Sequence, residues 1–303
     1  MGVKMDQEMP KFNSCYHSEE DCIEALVAMK WPNGFVCPLC AYNRCTRLNS
    51  RRIPLFECRR CAHQTSPLVD TIFEGTHLPL LKWFQALELF LLPDGISAMR
   101  LSQVIRVTYK TAWLMLHKIR YTLGEFDARE LLSGDVRVNS DHYGVDPFRH
   151  QRLPHSYATA IVAGCTITES GEPEQVKIHL VSQKRGDGVE ANRHEIAAFI
   201  NRHVDAHSSV FQTFPLAFRL YLPLRKIVRK AWESLKSTYV ALGIKYLQAY
   251  LNECTVRRRL HQFQSGDMQQ MLLKLLHMCM EIPSISYHEL IARKKHPRLT
   301  AVA

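Results

Sequence analysis

The sequence predicts a multidomain α/β chain, and three observations predict it. Two Cys-x-x-Cys pairs near the N-terminus mark a small metal-organised module. Apolar residues then recur at helical spacing from Leu80 to Ile119. From Leu131 the period changes to strand-like alternation before helical spacing returns. At 303 residues and 46% hydrophobic, the chain is long and apolar enough to bury cores in two or three domains.

The first element is a helix. Ser18 supplies an N-cap, Glu19, Glu20 and Asp21 fill the first turn, and Ile23, Leu26, Val27 and Met29 follow. Trp31-Pro32-Asn33-Gly34 ends it. Next come Cys37-Pro38-Leu39-Cys40 and Cys58-Arg59-Arg60-Cys61, separated by 17 residues. Each Cys-x-x-Cys turn aims two sulfurs at one point, so Cys37, Cys40, Cys58 and Cys61 together supply the four thiolates of a closed structural Zn²⁺ site, a zinc ribbon. The spacer has room for a short hairpin carrying Arg44, Arg47, Arg51 and Arg52, with no acid before Glu57. Such a basic finger points to nucleic acid. The other reading of the cysteines, disulfides or buried free thiols, is disfavoured because the first ten residues contain no apolar signal segment, which implies a reducing, cytoplasmic setting. Cys15, Cys22, Cys45, Cys165, Cys254 and Cys279 lack paired spacing and read as small apolar residues.

Leu78-Pro79 opens a second helix with Leu80, Trp83, Phe84, Leu87 and Phe90 on one face, stopped by Pro93-Asp94-Gly95. Residues 96–120 split into two helical pieces at Arg106-Val107-Thr108, a helix-turn-helix pattern. Met99, Leu101, Val104 and Ile105 face inward in the first piece. Thr108 caps the second, where Ala112, Leu116 and Ile119 form the apolar face. Tyr109, Lys110 and Thr111 then stand where recognition helices meet bases, while Lys118 and Arg120 could reach phosphates; Arg106, Arg51 and Arg52 complete the set of DNA-binding candidates.

Val136 and Val138, the β-branched run from Tyr157 to Ile167, and Val176 to Val181 read as three successive strands. A helix over Arg193 to His207, a short strand at Ser209-Val210-Phe211 and a mostly helical remainder follow. Three strands, a helix, a strand and more helices is the order expected of an RNase H-like α/β domain. The predicted organisation is therefore a helical lead (1–35), a zinc ribbon (36–66), a helix-turn-helix DNA-binding region (67–130), an RNase H-like domain (131–260) and a basic C-terminal tail (261–303). No run is long and apolar enough to span a bilayer, so no membrane partner is expected. The formal charge of +10 favours an anionic partner, and from Arg225 onward 14 Lys and Arg stand against 5 Asp and Glu. Clusters there include Arg257-Arg258-Arg259 and Arg293-Lys294-Lys295, for which a solvated basic face is the plain alternative.

From Trp31 to about Leu123 the chain closely resembles the zinc-ribbon DDE transposases of bacterial insertion sequences, the ISXO-like group. The matching stretches are Trp31 to Cys40, Phe56 to Cys61, Thr71-Ile72-Phe73 with Trp83 and Ala86, Tyr109 to Trp113, and Leu116 to Arg120. Weaker likeness continues through Leu132 to Val136, Arg152-Leu153-Pro154 and Trp232 to Lys236. The resemblance implies binding of double-stranded DNA at element ends, cutting and rejoining in an RNase H-like domain, a bacterial cytoplasmic or nucleoid location, and two Mg²⁺ held by two Asp and a third acid or amide. A homo-oligomer is compatible with it.

The chain departs from that pattern at the acids. Asn139 and Thr213 occupy the first two acid positions that the resemblance implies, and Lys226, Arg229 and Lys230 precede Trp232 where the third group belongs. Asp141, two residues on and facing the same side of its strand, is the substitute catalytic candidate, with Asp146 a looser one. Glu253 survives on a helix, where a lone carboxylate more often faces solvent. The expectation is a DNA-binding transposase-family protein with a shortened, degenerate catalytic domain, needing Mg²⁺ only if active. The alternatives are an active Mg²⁺-dependent DDE transposase using Asp141, a captured zinc-dependent DNA-binding protein, and a scaffold in which zinc only holds the fold.

Overall fold

The computed structural model describes residues 16–144, 158–181, 191–213, 220–239, 242–263 and 267–292. Cys15, Asp146, Arg152 to Pro154, Tyr157 and Arg293 to Lys295 therefore lie outside the described residues. The chain divides into two units: Met1–Thr122 with Gln264–Tyr287, and Leu123–Phe263 with His288–Ala303.

In the first unit α1 (Glu19–Lys30) starts on a capping box: Ser18 Oγ accepts from Asp21 N, and the Asp21 carboxylate accepts from Ser18 N. Three short antiparallel strands follow in the order β1-β2-β3: β1 (Cys45–Leu48), β2 (Leu55–Cys58) and β3 (Gln64–Thr65). The ribbon core is small, with Phe35, Phe56 and the cysteines packed against Val27 and Trp31. The Trp31 ring lies 5.2 Å from Phe35 and 4.7 Å from Phe56, so the end of α1 and the ribbon share one aromatic cluster.

Pro79 leads into α2 (Leu80–Phe90), but its cap comes from elsewhere. The Glu19 carboxylate accepts from Leu80 N at 2.9 Å and Leu81 N at 3.0 Å, placing negative charge on the positive helix end. α3 (Ala98–Val104) and α4 (Tyr109–Arg129) complete the expected helical pair. Leu101 and Ile105 are buried as expected, whereas Met99 is 57% exposed because α3 is only seven residues long and turns another face inward. The stretch expected to be a basic tail, 261–303, contains α8 (Met268–Glu281), which packs on α1 and α2 through a face that includes Met271, Leu272, Leu275 and Leu276. Cys279 O accepts from Ile72 N, tying α8 to the loop ahead of α2. A short α9 (Tyr287–Ala292) ends the described chain.

The second unit is built on one four-stranded sheet in the order β6-β5-β4-β7. Its strands are β4 (Asp135–Gly144), β5 (Ala158–Ile167), β6 (Pro173–Leu180) and β7 (Ser209–Thr213). β4 pairs antiparallel with β5 and parallel with β7. α5 (Arg193–His203) covers one face, where Val136, Val138, Ala160 and Val162 meet Ile196 and Phe199. It stops earlier than the expected His207 because Val204 bridges Leu132 beside the sheet. A Cβ on Gly164 would come within 2.7 Å of the Phe199 ring, so only glycine allows α5 so close to β5. α6 (Leu222–Thr238) and α7 (Ile244–Phe263) cover the other face, with Leu224, Val228, Leu247 and Leu251 on Ile161, Ala163 and Ile178. From Val136 to Asp141 the side chains of β4 thus sort by parity, and the set containing Asn139 and Asp141 faces α6, with His142 beyond them also reaching that helix. Among the described residues no helix is long and apolar enough to cross a membrane.

Candidate metal centre and nucleic-acid interface

The four sulfurs of Cys37, Cys40, Cys58 and Cys61 lie within 4.8 Å of one another, the one such His, Cys or acid group found among the described residues. Cys37 to Cys61 and Cys40 to Cys58 are each 3.6 Å apart. A tetrahedral Zn²⁺ with Zn–S bonds of about 2.3 Å sets its sulfurs about 3.8 Å apart, so this donor set fits the ion. Two matching turns aim the sulfurs. Ala41 N donates to Cys37 O and Ala62 N to Cys58 O; Cys37 N donates to Tyr42 O and Cys58 N to His63 O, all at 2.9 Å. Ala41 (φ 57°) and Ala62 (φ 54°) both take the left-handed conformation that closes such a turn. Burial pushes the Cys58 thiol up, but the Cys61 and Arg60 N–H groups and the Cys40 and Cys61 thiols outweigh it and hold it at about 6. The same crowding acts oppositely on Cys61: the His63 N–H lowers its thiol, but the Cys40, Cys37 and Cys58 sulfurs and burial outweigh it and push it up to about 12.

The ribbon is less basic at its surface than its composition implies. Arg47 pairs with Glu20 and Glu24 of α1, and Arg52 pairs with Glu19 at 2.6 Å and donates to Thr76 O. These pairs hold the hairpin to α1. Arg44, Arg51 and Arg60 remain exposed.

At the α3–α4 turn, Val107 N donates to Ser102 O at 3.0 Å, the long-range bond of a Schellman cap. Arg106 holds the left-handed position of that cap (φ 54°), which glycine fills at lower cost, and its side chain is exposed. Arg106→Gly is expected to raise thermal stability of the first unit by about 0.5–1 kcal/mol, read by calorimetry. Thr108 caps α4 as expected, its Oγ1 accepting from Thr111 N at 3.2 Å and lying 2.8 Å from Thr111 Oγ1. Tyr109 is 53% exposed, and Lys110 is exposed with its Nζ 5.2 Å from the Tyr287 ring centre. Arg106, Tyr109, Lys110 and Thr111 thus gather at one end of α4. Lys118 and Arg120 do not join them: Lys118 Nζ donates to Ser284 Oγ at 2.6 Å and burial lowers its pKa, while Arg120 is 2% exposed. Both were expected to reach phosphates. They lie on the inward face because α4 packs most of its circumference within the fold.

In the second unit the two positions where the resemblance implies acids are neighbours: Asn139 and Thr213 are register partners across the parallel β4–β7 pair. The Asn139 side chain is committed to the backbone of Tyr221 at the start of α6. Its Nδ2 donates to Tyr221 O at 3.0 Å and its Oδ1 accepts from Tyr221 N at 3.2 Å. Asp141, 5% exposed, sits under two cations of α6, with Oδ2 3.8 Å from Arg225 Nε and Oδ1 3.8 Å from Arg229 Nη2. Arg229 Nη2 also contacts His142 Nε2 at 3.0 Å. Arg225, His142 and Tyr221 were not singled out by sequence reasoning, since only the fold brings α6 beside β4.

Glu253 is not on a solvated face. It is fully buried, paired with Arg257 one turn on and approached by the Tyr239 hydroxyl at 3.4 Å. The neighbouring arginines are likewise engaged internally: Arg258 donates to Glu174 O and Pro173 O, and Arg259 pairs with Glu130. The Arg257 to Arg259 cluster is therefore structural in the second unit.

This four-cysteine geometry belongs to a defined class of module. Residues 17–64 match the family of transposase zinc-ribbon domains of the IS1595 type. Over 124 residues the chain is also 29% identical to a protein described as an uncharacterized protein in transposable element ISH50 of Halobacterium salinarum (strain ATCC 700922 / JCM 11081 / NRC-1). That similarity covers 40% of this chain, and the chain spans about two-fifths of that relative (41%). No solved structure matches the chain.

Proposed function

We propose that this protein is an insertion-element transposase-family protein that binds double-stranded DNA through its zinc ribbon and the α3–α4 helix-turn-helix, with strand transfer impaired or lost. The observation that carries the reading is the four-sulfur cluster within a segment that matches a transposase zinc-ribbon domain. A structural Zn²⁺ fixes the ribbon, and Arg51 with Arg106, Tyr109, Lys110 and Thr111 forms the DNA-facing set. The RNase H-like assignment of the second unit draws support from its element order and from a fourth strand parallel to the first.

Loss of strand transfer follows from charge. A two-metal site needs converging carboxylates to draw in hard divalent cations. Here an amide and a hydroxyl residue stand at 139 and 213, and Asp141 is the nearby acid, faced by Arg225 and Arg229. The field at that point repels Mg²⁺. An active enzyme using Asp141 would have to displace both guanidinium groups first.

The test is a gel shift of the full zinc-loaded chain against duplexes carrying the inverted repeats that flank its own gene, with a strand-transfer assay in Mg²⁺ alongside. Binding that weakens steeply with salt and is lost after metal removal is expected, with no nicking or joining. Arg106→Gly should reduce the salt slope by about one phosphate contact while stabilising the fold. Failure to bind any duplex at low salt would sink the reading, and joining abolished by Asp141→Ala would replace it with the active enzyme.

A further inference from the structure

We propose that the outer face of α6 is a metal-independent surface for the phosphate backbone of duplex DNA, formed beside the positions where the resemblance implies a two-metal site. The proposal rests on the reading of the chain as a DNA-binding protein and adds a second contact surface to it.

Arg225, Lys226, Arg229 and Lys230 fall within the first nine residues of α6, with no acid among them. The opposite face, Leu224, Val228, Ala231 and Leu235, is buried and fixes the rotation of the helix. Lys226 and Lys230 are therefore both exposed, one turn apart. Neither makes an ion pair or hydrogen bond among the described residues. Intramolecular electrostatics account for them only in part, because Lys226 and Lys230 repel each other at i and i+4 and only Lys230 has an acid, Glu233, at helical spacing on its other side. An external anion relieves that repulsion.

The two arginines are only partly neutralised. Asp141 lies 3.8 Å from each, within ion-pair range but beyond hydrogen-bonding distance, so the carboxylate orients Arg225 and Arg229 without using their N–H donors. Buried Asp141 and exposed Glu233 against four cations still leave a net positive surface. It continues onto the sheet through Arg137, whose guanidinium stacks over the Phe211 ring at 4.8 Å on the β7 edge. A phosphate would meet these cations directly, with no ion between protein and DNA.

The experiment is fluorescence anisotropy of a labelled duplex with the full zinc-loaded chain over a salt series, with and without millimolar Mg²⁺. The expected result is Mg²⁺-independent binding whose log–log salt slope falls by about 1.8 in Lys226→Ala/Lys230→Ala, two lost phosphate contacts at about 0.9 each. A control, Arg193→Ala/Lys245→Ala, removes two exposed cations from other elements of the same unit and should leave the slope unchanged. If wild type binds and the lysine variant keeps its slope, the α6 surface is overturned while the ribbon reading stands. An equal fall in the control, binding that appears only with Mg²⁺, or a lysine effect reproduced with heparin but not duplex overturns it as well. Absence of duplex binding by wild type overturns both readings.

Discussion

Stripping the metal from this protein is expected to unfold the Cys37 to Cys61 module, and Cys37→Ser should do the same. The ribbon has few resources besides the ion: three strands of four, four and two residues, and an aromatic core of Phe35, Phe56 and Trp31. A core of that size does not hold a fold alone. Structural Zn²⁺ sites supply about 10–16 kcal/mol of apparent binding energy in model fingers at neutral pH, far more than any other single interaction in the module. Chelation should therefore collapse amide protection of β1 and β2 in hydrogen exchange and shift Trp31 emission toward that of a solvated indole. One Zn²⁺ per chain is expected in elemental analysis. Absence of metal together with native-like protection in Cys37→Ser would show the cluster to be dispensable.

Glu253→Ala is expected to lower the stability of the second unit by about 3–5 kcal/mol, because it strands the buried Arg257 guanidinium without its carboxylate. A surviving catalytic acid would behave differently, since its removal would abolish chemistry and leave the melting temperature nearly unchanged. Denaturant unfolding of the single variant and of Glu253→Ala/Arg257→Met separates the cases. The double variant should recover much of the loss, since replacing both charges with apolar groups removes the desolvation cost along with the pair. An unchanged midpoint in Glu253→Ala would overturn the structural role.

What could be read from the sequence was local. The cysteine knuckles, the Ser18 cap, the Thr108 cap and the strand alternation each depend on residues a few positions apart. What escaped was brought together by the fold. The cap of α2 comes from Glu19, 61 residues away, and Asn139 meets Tyr221 across 82. Arg120 and Lys118 looked like phosphate ligands because helical periodicity identifies an apolar face but not how far packing extends around it. α8 was hidden within a region whose average composition is basic, although its own residues are strongly apolar. Of the site, the metal ligands were legible and the arginine cover over Asp141 was not.

The amide of Asn139 also bears on which residues position 139 can accept. It gives a proton to one backbone group of Tyr221 and takes one from another. An ionised carboxylate at the same place could only accept, and would set one of its oxygens against the Tyr221 carbonyl oxygen. Asn139→Asp is therefore expected to loosen the anchor of α6. The position is one-sided: an amide fits both backbone groups that hold the start of the helix, and an acid fits one.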